Sequence, residues 1–249
     1  MIGQLFLFLL QNYRSKLGVN IDSCYEYIMH KFYFSTTFCL FTILHFQAQV
    51  PVRMEPMHHN IFENTRVRIL DVHIPRGDTT LFHIHATPSV FLILSNVKTG
   101  SQVISEEDRS LNPVPHFGNI YFEGFYIKPR IHRVWNEDTA AFHVMDIELI
   151  SKKYIAIDSP LHQEAFVFLF EEKPVRGYQL NLLPEKTVHI LGRKADILAV
   201  LQTDFVQDII INGRAFKRKG EFVYIPAETP VDFQNNGKQS AVFAFFEIK

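Results

Sequence analysis

From residue 50 onward, apolar and polar positions alternate in short runs broken by turn residues. Val67-Arg68-Ile69-Leu70-Asp71-Val72-His73-Ile74 alternates and then stops at Pro75-Arg76-Gly77-Asp78, the pattern of a strand running into a turn. Val90 to Leu94 is a continuous apolar run closed by Ser95-Asn96. Ile120 to Ile127 is aromatic and strand-like, and Phe142 to Ile150 reads as a further strand. No long segment sustains a 3.6-residue period, so helices are expected to be few and short. Leu161 to Glu171 reads either as the exception or as a linking strand. The pattern predicts an all-β chain.

Composition agrees with this. The 249 residues are 47% hydrophobic and include 24 Phe and 9 Tyr, enough for a substantial core rich in residues that favour strands. Net charge is −1, with no block of like charge, which argues against a nucleic-acid or polybasic membrane surface. The only cysteines, Cys24 and Cys39, precede residue 50. The presumed folded region therefore holds neither a disulfide nor a thiolate-bound metal. No Gly-rich phosphate loop and no nucleophile elbow is present, which disfavours nucleotide-dependent and hydrolytic chemistry.

The N-terminal region has a different character. Met29-His30-Lys31 leads into about 15 mostly apolar residues, Phe32 to Phe46, and then Gln47-Ala48-Gln49. A basic start, a short apolar run and a small-residue exit have the shape of a secretory signal peptide, and the run is short for a membrane span. Residues 29–49 are therefore expected to be a signal peptide and residues 1–28 an upstream extension. The mature chain is expected to be secreted or periplasmic, without a membrane anchor. Without residues 1–49 it carries 22 basic and 24 acidic residues, a net charge of −2.

Two halves of the remainder repeat each other. Asn136 to Leu149 matches Asn235 to Ile248, with Glu148 and Glu247 each twelve residues after the Asn. The repeat predicts domains at 50–155 and 156–249. Only the first carries a histidine pair, in Gly77-Asp78-Thr79-Thr80-Leu81-Phe82-His83-Ile84-His85. Residues i and i+2 of a strand face the same way, so His83 and His85 present both imidazoles to one cavity. Imidazole is the commonest protein ligand for a divalent transition metal. Downstream stands Pro129-Arg130-Ile131-His132-Arg133-Val134-Trp135-Asn136.

These stretches resemble the two motifs of the cupin superfamily. A glycine, five residues and His-x-His open the first motif, and His132-x3-Asn136 closes the second. In the other half, Gly220 and Pro226 match the opening of the second motif, but Val231 stands where its His belongs. The resemblance covers roughly residues 55–249 and implies two cupin-type jelly-roll barrels in tandem, a bicupin, with the metal site erased in the second. It implies a three-imidazole site of His83, His85 and His132. The glutamate usual in the family is replaced by Pro88, Ser89 or Val90. Members lacking it include three-His dioxygenases holding iron(II); others are isomerases, decarboxylases, epimerases, storage proteins or ligand sensors.

The expected function is a metal-dependent enzyme of small molecules, of the non-haem dioxygenase type. The alternatives are a metal-dependent isomerase and a non-catalytic binding or structural barrel. The expected ion is Fe2+, with Mn2+, Zn2+ or Ni2+ as alternatives, and homodimerisation through edge strands is expected. Arg130, two residues before His132, is read as the anchor for a substrate carboxylate or as a rim ion pair. His58 and His59 are assigned to the surface or a cap, His143 to structure, and His73 to structure or to support of the site. His116 and Tyr126 are candidates for a mouth. Asn136 is expected to close a turn, and Trp135 to pack on the outer face.

Overall fold

Residues 49–105, 110–111 and 117–249 are described by the computed structural model. The leader-like segment up to Ala48 and His116 lie outside them. Among the described residues the chain is built from nineteen strands and one 3-10 turn at Val52–Met54. The first ten strands are β1 (Val50–Pro51), β2 (His58–Glu63), β3 (Val67–Ile74), β4 (His83–His85), β5 (Ser89–Ile93), β6 (Thr99–Val103), β7 (Ser110–Leu111), β8 (Ile120–Glu123), β9 (Arg130–Asn136) and β10 (Phe142–Leu149). The others are β11 (Phe166–Glu171), β12 (Val175–Leu182), β13 (Lys186–Ile190), β14 (Asp196–Leu201), β15 (Phe205–Ile211), β16 (Arg214–Arg218), β17 (Phe222–Ile225), β18 (Val231–Asn235) and β19 (Ala241–Ile248).

They form four sheets, two from each half of the chain. The first half gives β1-β4-β9-β6-β7 and β2-β3-β10-β5-β8; the second gives β11-β12-β19-β14-β17 and β13-β18-β15-β16. Two expectations are refined. Leu161 to Glu171 resolves into a loop and then strand β11, not a helix. The strand expected over Ile120 to Ile127 ends at Glu123, because Gly124 and Phe125, with φ of 50° at the latter, break the extended backbone.

The repeat extends into fine detail. β2 and β3 pair with an irregularity between Asn60 and Phe62, and β11 and β12 do so between Phe168 and Phe170. Arg68 bonds Glu63 and Glu148, and Arg176 bonds Glu171 and Glu247 in the same places. Asn136 Nδ2 donates to the carbonyls of Ile74 and Ala140, and Asn235 Nδ2 to those of Leu182 and Gln239. Each of these asparagines closes a turn by tying the end of one strand to another.

Replacing Asn136 by Ala leaves two carbonyls and the Asp138 N–H without their partner. The expected cost is about 2–3 kcal/mol, a Tm lower by roughly 5–10 °C. Calorimetry of Asn136→Ala beside Asn235→Ala checks this, with similar losses expected for both.

Strand alternation decides where the cores lie. On β3, Val67 and Ile69 face the second half of the chain, while Leu70, Val72 and Ile74 face the interior of the first barrel. Val90, Leu92, Met145 and Ile147 join the former set and meet Leu198, Val200, Ala244, Phe246 and Ile248 in one buried cluster. The two barrels thus share an apolar seam between sheets. The interior of the second barrel is filled by aromatic and aliphatic side chains, among them Phe166, Tyr178, Phe216, Phe233, Phe243 and Phe245. The interior of the first barrel keeps a cavity.

Candidate metal centre

β4 and β9 are hydrogen-bonded neighbours, with His83 opposite His132 and His85 opposite Arg130. The period of two turns His83 and His85 inward together, and His132 joins them across the ladder. Ring centroids are 5.0 Å apart for His83 and His85, 4.7 Å for His83 and His132, and 5.1 Å for His85 and His132.

A fourth imidazole stands beside them. His58, assigned from the sequence to the surface or a cap, is buried, and its ring lies 4.7 Å from that of His83. The cause is register. His58 opens β2 opposite Val72, which lines the cavity, whereas His59 sits opposite Asp71 and faces out. One ring nitrogen from each of His58, His83 and His85 lies within 4.8 Å of the others.

Glu55 organises two of these rings. It is buried, and its carboxylate accepts the His58 Nδ1–H at 2.5 Å, the Met57 N–H and the Leu81 N–H. Burial alone would raise the Glu55 carboxyl, but the hydrogen bond from His58 and its charge outweigh this and hold it below the usual range. The Leu81 carbonyl in turn accepts the His83 Nδ1–H at 2.9 Å. With Nδ1 committed as donor on both rings, Nε2 keeps its lone pair for a ligand, the usual way a protein orients metal-binding imidazoles. Sequence reasoning missed Glu55 because it lies outside the repeating strand pattern.

Charge on His83 and His132 is suppressed. Burial, with His58 and His85 nearby, lowers His83 to about 2. Burial and the rings of His83 and His85 push His132 down as well. These two rings are therefore neutral, electron-donating imidazoles at physiological pH.

Asp146 on β10 is the second residue the sequence reading missed. It is 1% exposed, lines the cavity, and neither carboxylate oxygen has a hydrogen-bond partner. Its Oδ2 lies 3.4 Å from His85 Nδ1, which is likewise unbonded, as is His132 Nδ1. Buried polar atoms without partners are costly. Their clustering here marks a place shaped for a group that supplies the missing interactions.

The cavity holds about 230 Å³. Apart from the imidazoles, its walls include Phe91, Tyr121 and Phe125, and the Phe125 ring stacks on His85 with centroids 5.6 Å apart. Phe125 does so from a left-handed backbone, φ 50°, a strained conformation that surrounding structure must hold in place. Arg130 lines the cavity at a partly exposed position, and its guanidinium reaches Glu123 Oε1 at 3.9 Å. It thus occupies both places considered for it, the cavity and a rim ion pair.

The remaining candidates lie elsewhere. His73 and His143 face away from the cavity with Asp71. Tyr126 is exposed and does not line the cavity. Trp135 packs its indole against Gly100 on the outer face, where any side chain on that glycine would collide with it.

The second barrel shows what its counterpart lacks. Strand register places Phe166 at the position of His58, Ile190 at that of His83, Val231 at that of His132, and Phe245 at that of Asp146. All four belong to its apolar core. In one repeat the interior is sealed by hydrophobic packing; in the other it is open and lined by nitrogen and oxygen donors.

Solved structures share this architecture. AerE from Microcystis aeruginosa is similar with a TM-score of 0.52 at 10% identity, over 78% of this chain and 98% of that one. Salicylate 1,2-dioxygenase from Pseudoaminobacter salicylatoxidans is similar with a TM-score of 0.53 at 8% identity, over 76% and 70%. A cupin 2 conserved barrel protein from Leptotrichia buccalis is similar with a TM-score of 0.48 at 11% identity, over 77% and 88%. The chain shares its fold with AerE and with salicylate 1,2-dioxygenase. No protein-family model and no curated protein sequence matches it.

The donor set departs from the one that the motif resemblance implies. The positions where that resemblance places a glutamate hold Pro88, Ser89 and Val90. Its cavity carries instead an additional imidazole, His58, and a carboxylate from another strand, Asp146. The donor chemistry fits a divalent transition metal: neutral imidazoles suit Fe2+, Zn2+, Ni2+ and Cu2+, and an adjoining carboxylate balances the charge.

Proposed function

We propose that the first barrel is a metal-dependent small-molecule site of the non-haem dioxygenase type. His83, His85 and His132 hold the ion, with His58 as a further donor beside them. The observation that carries this reading is the convergence of inward-facing imidazoles on a cavity whose counterpart in the second barrel is packed solid. Iron(II) is the favoured ion, with Mn2+, Zn2+ or Ni2+ as the alternatives. When bound, the metal supplies Lewis acidity and, as iron(II), redox chemistry toward dioxygen.

The chain's own residues do the rest. Glu55 fixes the donor tautomer of His58 directly and orients His83 through Leu81. Phe91 and Phe125 keep the inner cavity apolar and exclude water. Arg130 receives the carboxylate of an anionic substrate at the mouth, since its planar fork binds carboxylates in pairs of hydrogen bonds. Salicylate, named for one solved structure of this fold, is an aromatic acid of the class this arrangement suits. The leader-like segment supports export of the mature protein.

The test is oxygen consumption by the full chain, loaded anaerobically with iron(II) and offered a panel of aromatic hydroxy acids and β-dicarbonyls. Turnover is expected with at least one anionic chelating substrate and is expected to vanish in His132→Ala. Arg130→Ala is expected to raise KM by roughly 10–100-fold with kcat largely kept, equivalent to about 1.5–3 kcal/mol of lost binding. No turnover with any compound, or an Arg130→Ala profile identical to wild type, would count against the respective parts of this reading.

A further inference from the structure

The face of β3 and β10 that turns toward the second barrel is apolar along most of its length. Where the apolar seam ends, it is continued by Asp71, His73 and His143. His73 and His143 are direct cross-strand partners, and Asp71 lies two residues from His73 on the same face. This juxtaposition brings side chains within reach of one another. The two imidazoles stack with centroids 4.0 Å apart and 21° between their planes.

Both rings turn Nε2 toward a single carboxylate. His143 Nε2–H donates to Asp71 Oδ1 at 2.7 Å, and His73 Nε2–H donates to Asp71 Oδ2 at 3.1 Å. One ligand-type atom from each of the three lies within 4.8 Å of the others. The group opens to solvent on one side: His73 is 44% exposed, Asp71 25% and His143 13%. On the other side His143 is held against Gly220, whose turn (φ +84°) leaves room for the ring.

The fold itself does not need these residues. The corresponding positions of the second barrel hold Gln179, Asn181 and Val242, and the two amides simply bond each other at 2.8 Å. One repeat thus carries uncharged, self-satisfied side chains where the other carries two imidazoles and a carboxylate aimed at one point.

We infer that Asp71, His73 and His143 form a second divalent metal site on the outside of the first barrel, separate from the cavity. Two imidazoles and one carboxylate suit Zn2+, Ni2+ or Co2+, with water filling the open side. Binding replaces the Nε2 proton of each ring by the ion; the two protons leave to solvent, and each ring keeps one on Nδ1. Closing both nitrogens on one ion requires only small side-chain rotations, which the exposure of His73 permits. The site stands independently of whatever occupies the cavity.

The experiment measures zinc bound per chain by equilibrium dialysis and elemental analysis on the full chain, stripped beforehand with a chelator. Three proteins are compared: wild type, Asp71→Gln/His73→Asn, and His83→Ala/His132→Ala. Asp71→Gln/His73→Asn installs the pair that the second repeat already tolerates, so its circular dichroism and Tm are expected to stay near wild type. It is expected to bind one zinc fewer than wild type, while His83→Ala/His132→Ala keeps this zinc. With cobalt(II), a visible absorption band retained in His83→Ala/His132→Ala and lost on adding Asp71→Gln/His73→Asn carries the same information. If His83→Ala/His132→Ala fails to fold, the comparison of the other two proteins decides alone. A cavity that takes no ion leaves wild type with one zinc, removed only by Asp71→Gln/His73→Asn, and the inference stands. Equal zinc in wild type and Asp71→Gln/His73→Asn overturns it.

Discussion

Exchanging the residues that distinguish the two barrel interiors is expected to move stability in opposite directions. Phe245→Asp is expected to unfold the second barrel, and Asp146→Leu to stabilise the metal-free first barrel. Phe245 is fully buried among Phe166, Tyr178 and Phe233. Deleting a buried phenylalanine costs about 3–5 kcal/mol by itself. An unpaired carboxylate in its place adds a desolvation penalty of a few kcal/mol more. The sum is on the order of the whole stability of an ordinary domain. Asp146 presents the reverse case, a buried carboxylate whose oxygens both lack a hydrogen bond. Removing it is expected to gain about 1–2 kcal/mol, at the expense of the site. Urea denaturation of the metal-free proteins reads both effects, and a stability loss in Asp146→Leu would show that this carboxylate serves packing.

The second large effect concerns acid. His83 is lowered to about 2 by burial and by the rings of His58 and His85, and His132 is lowered by the same kind of surroundings. Well above pH 6.5 both are neutral whether the chain is folded or unfolded, and they contribute no pH dependence. Below it, the unfolded chain takes up protons that the folded chain refuses. Stability is lost by up to about 1.4 kcal/mol per pH unit for each ring until the pH falls through the folded value. For two rings the loss between pH 6.5 and 4.5 is about 5 kcal/mol. The metal-free protein is thus expected to show a urea midpoint that falls steeply below pH 6.5, and His83→Ala/His132→Ala a much flatter profile. A midpoint equally steep in both proteins would assign the acid sensitivity to other groups.

What the sequence revealed depended on how local each signal was. His83 and His85 could be paired because strand geometry alone puts residues two apart on one face. The second barrel announced itself through Asn235 and Glu247, whose roles as turn tie and arginine partner recur from Asn136 and Glu148. His58 stayed hidden because adjacent histidines at a strand start give no clue to which faces in; only pairing with Val72 decides it. Asp146 did leave a signal. Aligning the repeats sets it against Phe245, and a carboxylate where the other repeat places an aromatic ring is anomalous. Phe125 could not be placed at all, since its contact with His85 depends on a left-handed turn no sequence period encodes. The same holds for Asp71, His73 and His143, which read as scattered polar positions until β3 and β10 are paired.

The claim on which the rest depends is that the cavity of the first barrel holds a divalent ion on His83, His85 and His132. The most direct measurement is elemental analysis of the full chain after anaerobic loading with iron(II) and removal of excess, beside His83→Ala/His132→Ala prepared identically. One ion per chain fewer in the substituted protein, with its circular dichroism unchanged, is the expected result. The same ion content in both folded proteins would contradict the claim and leave the first barrel as a cavity for an organic ligand alone.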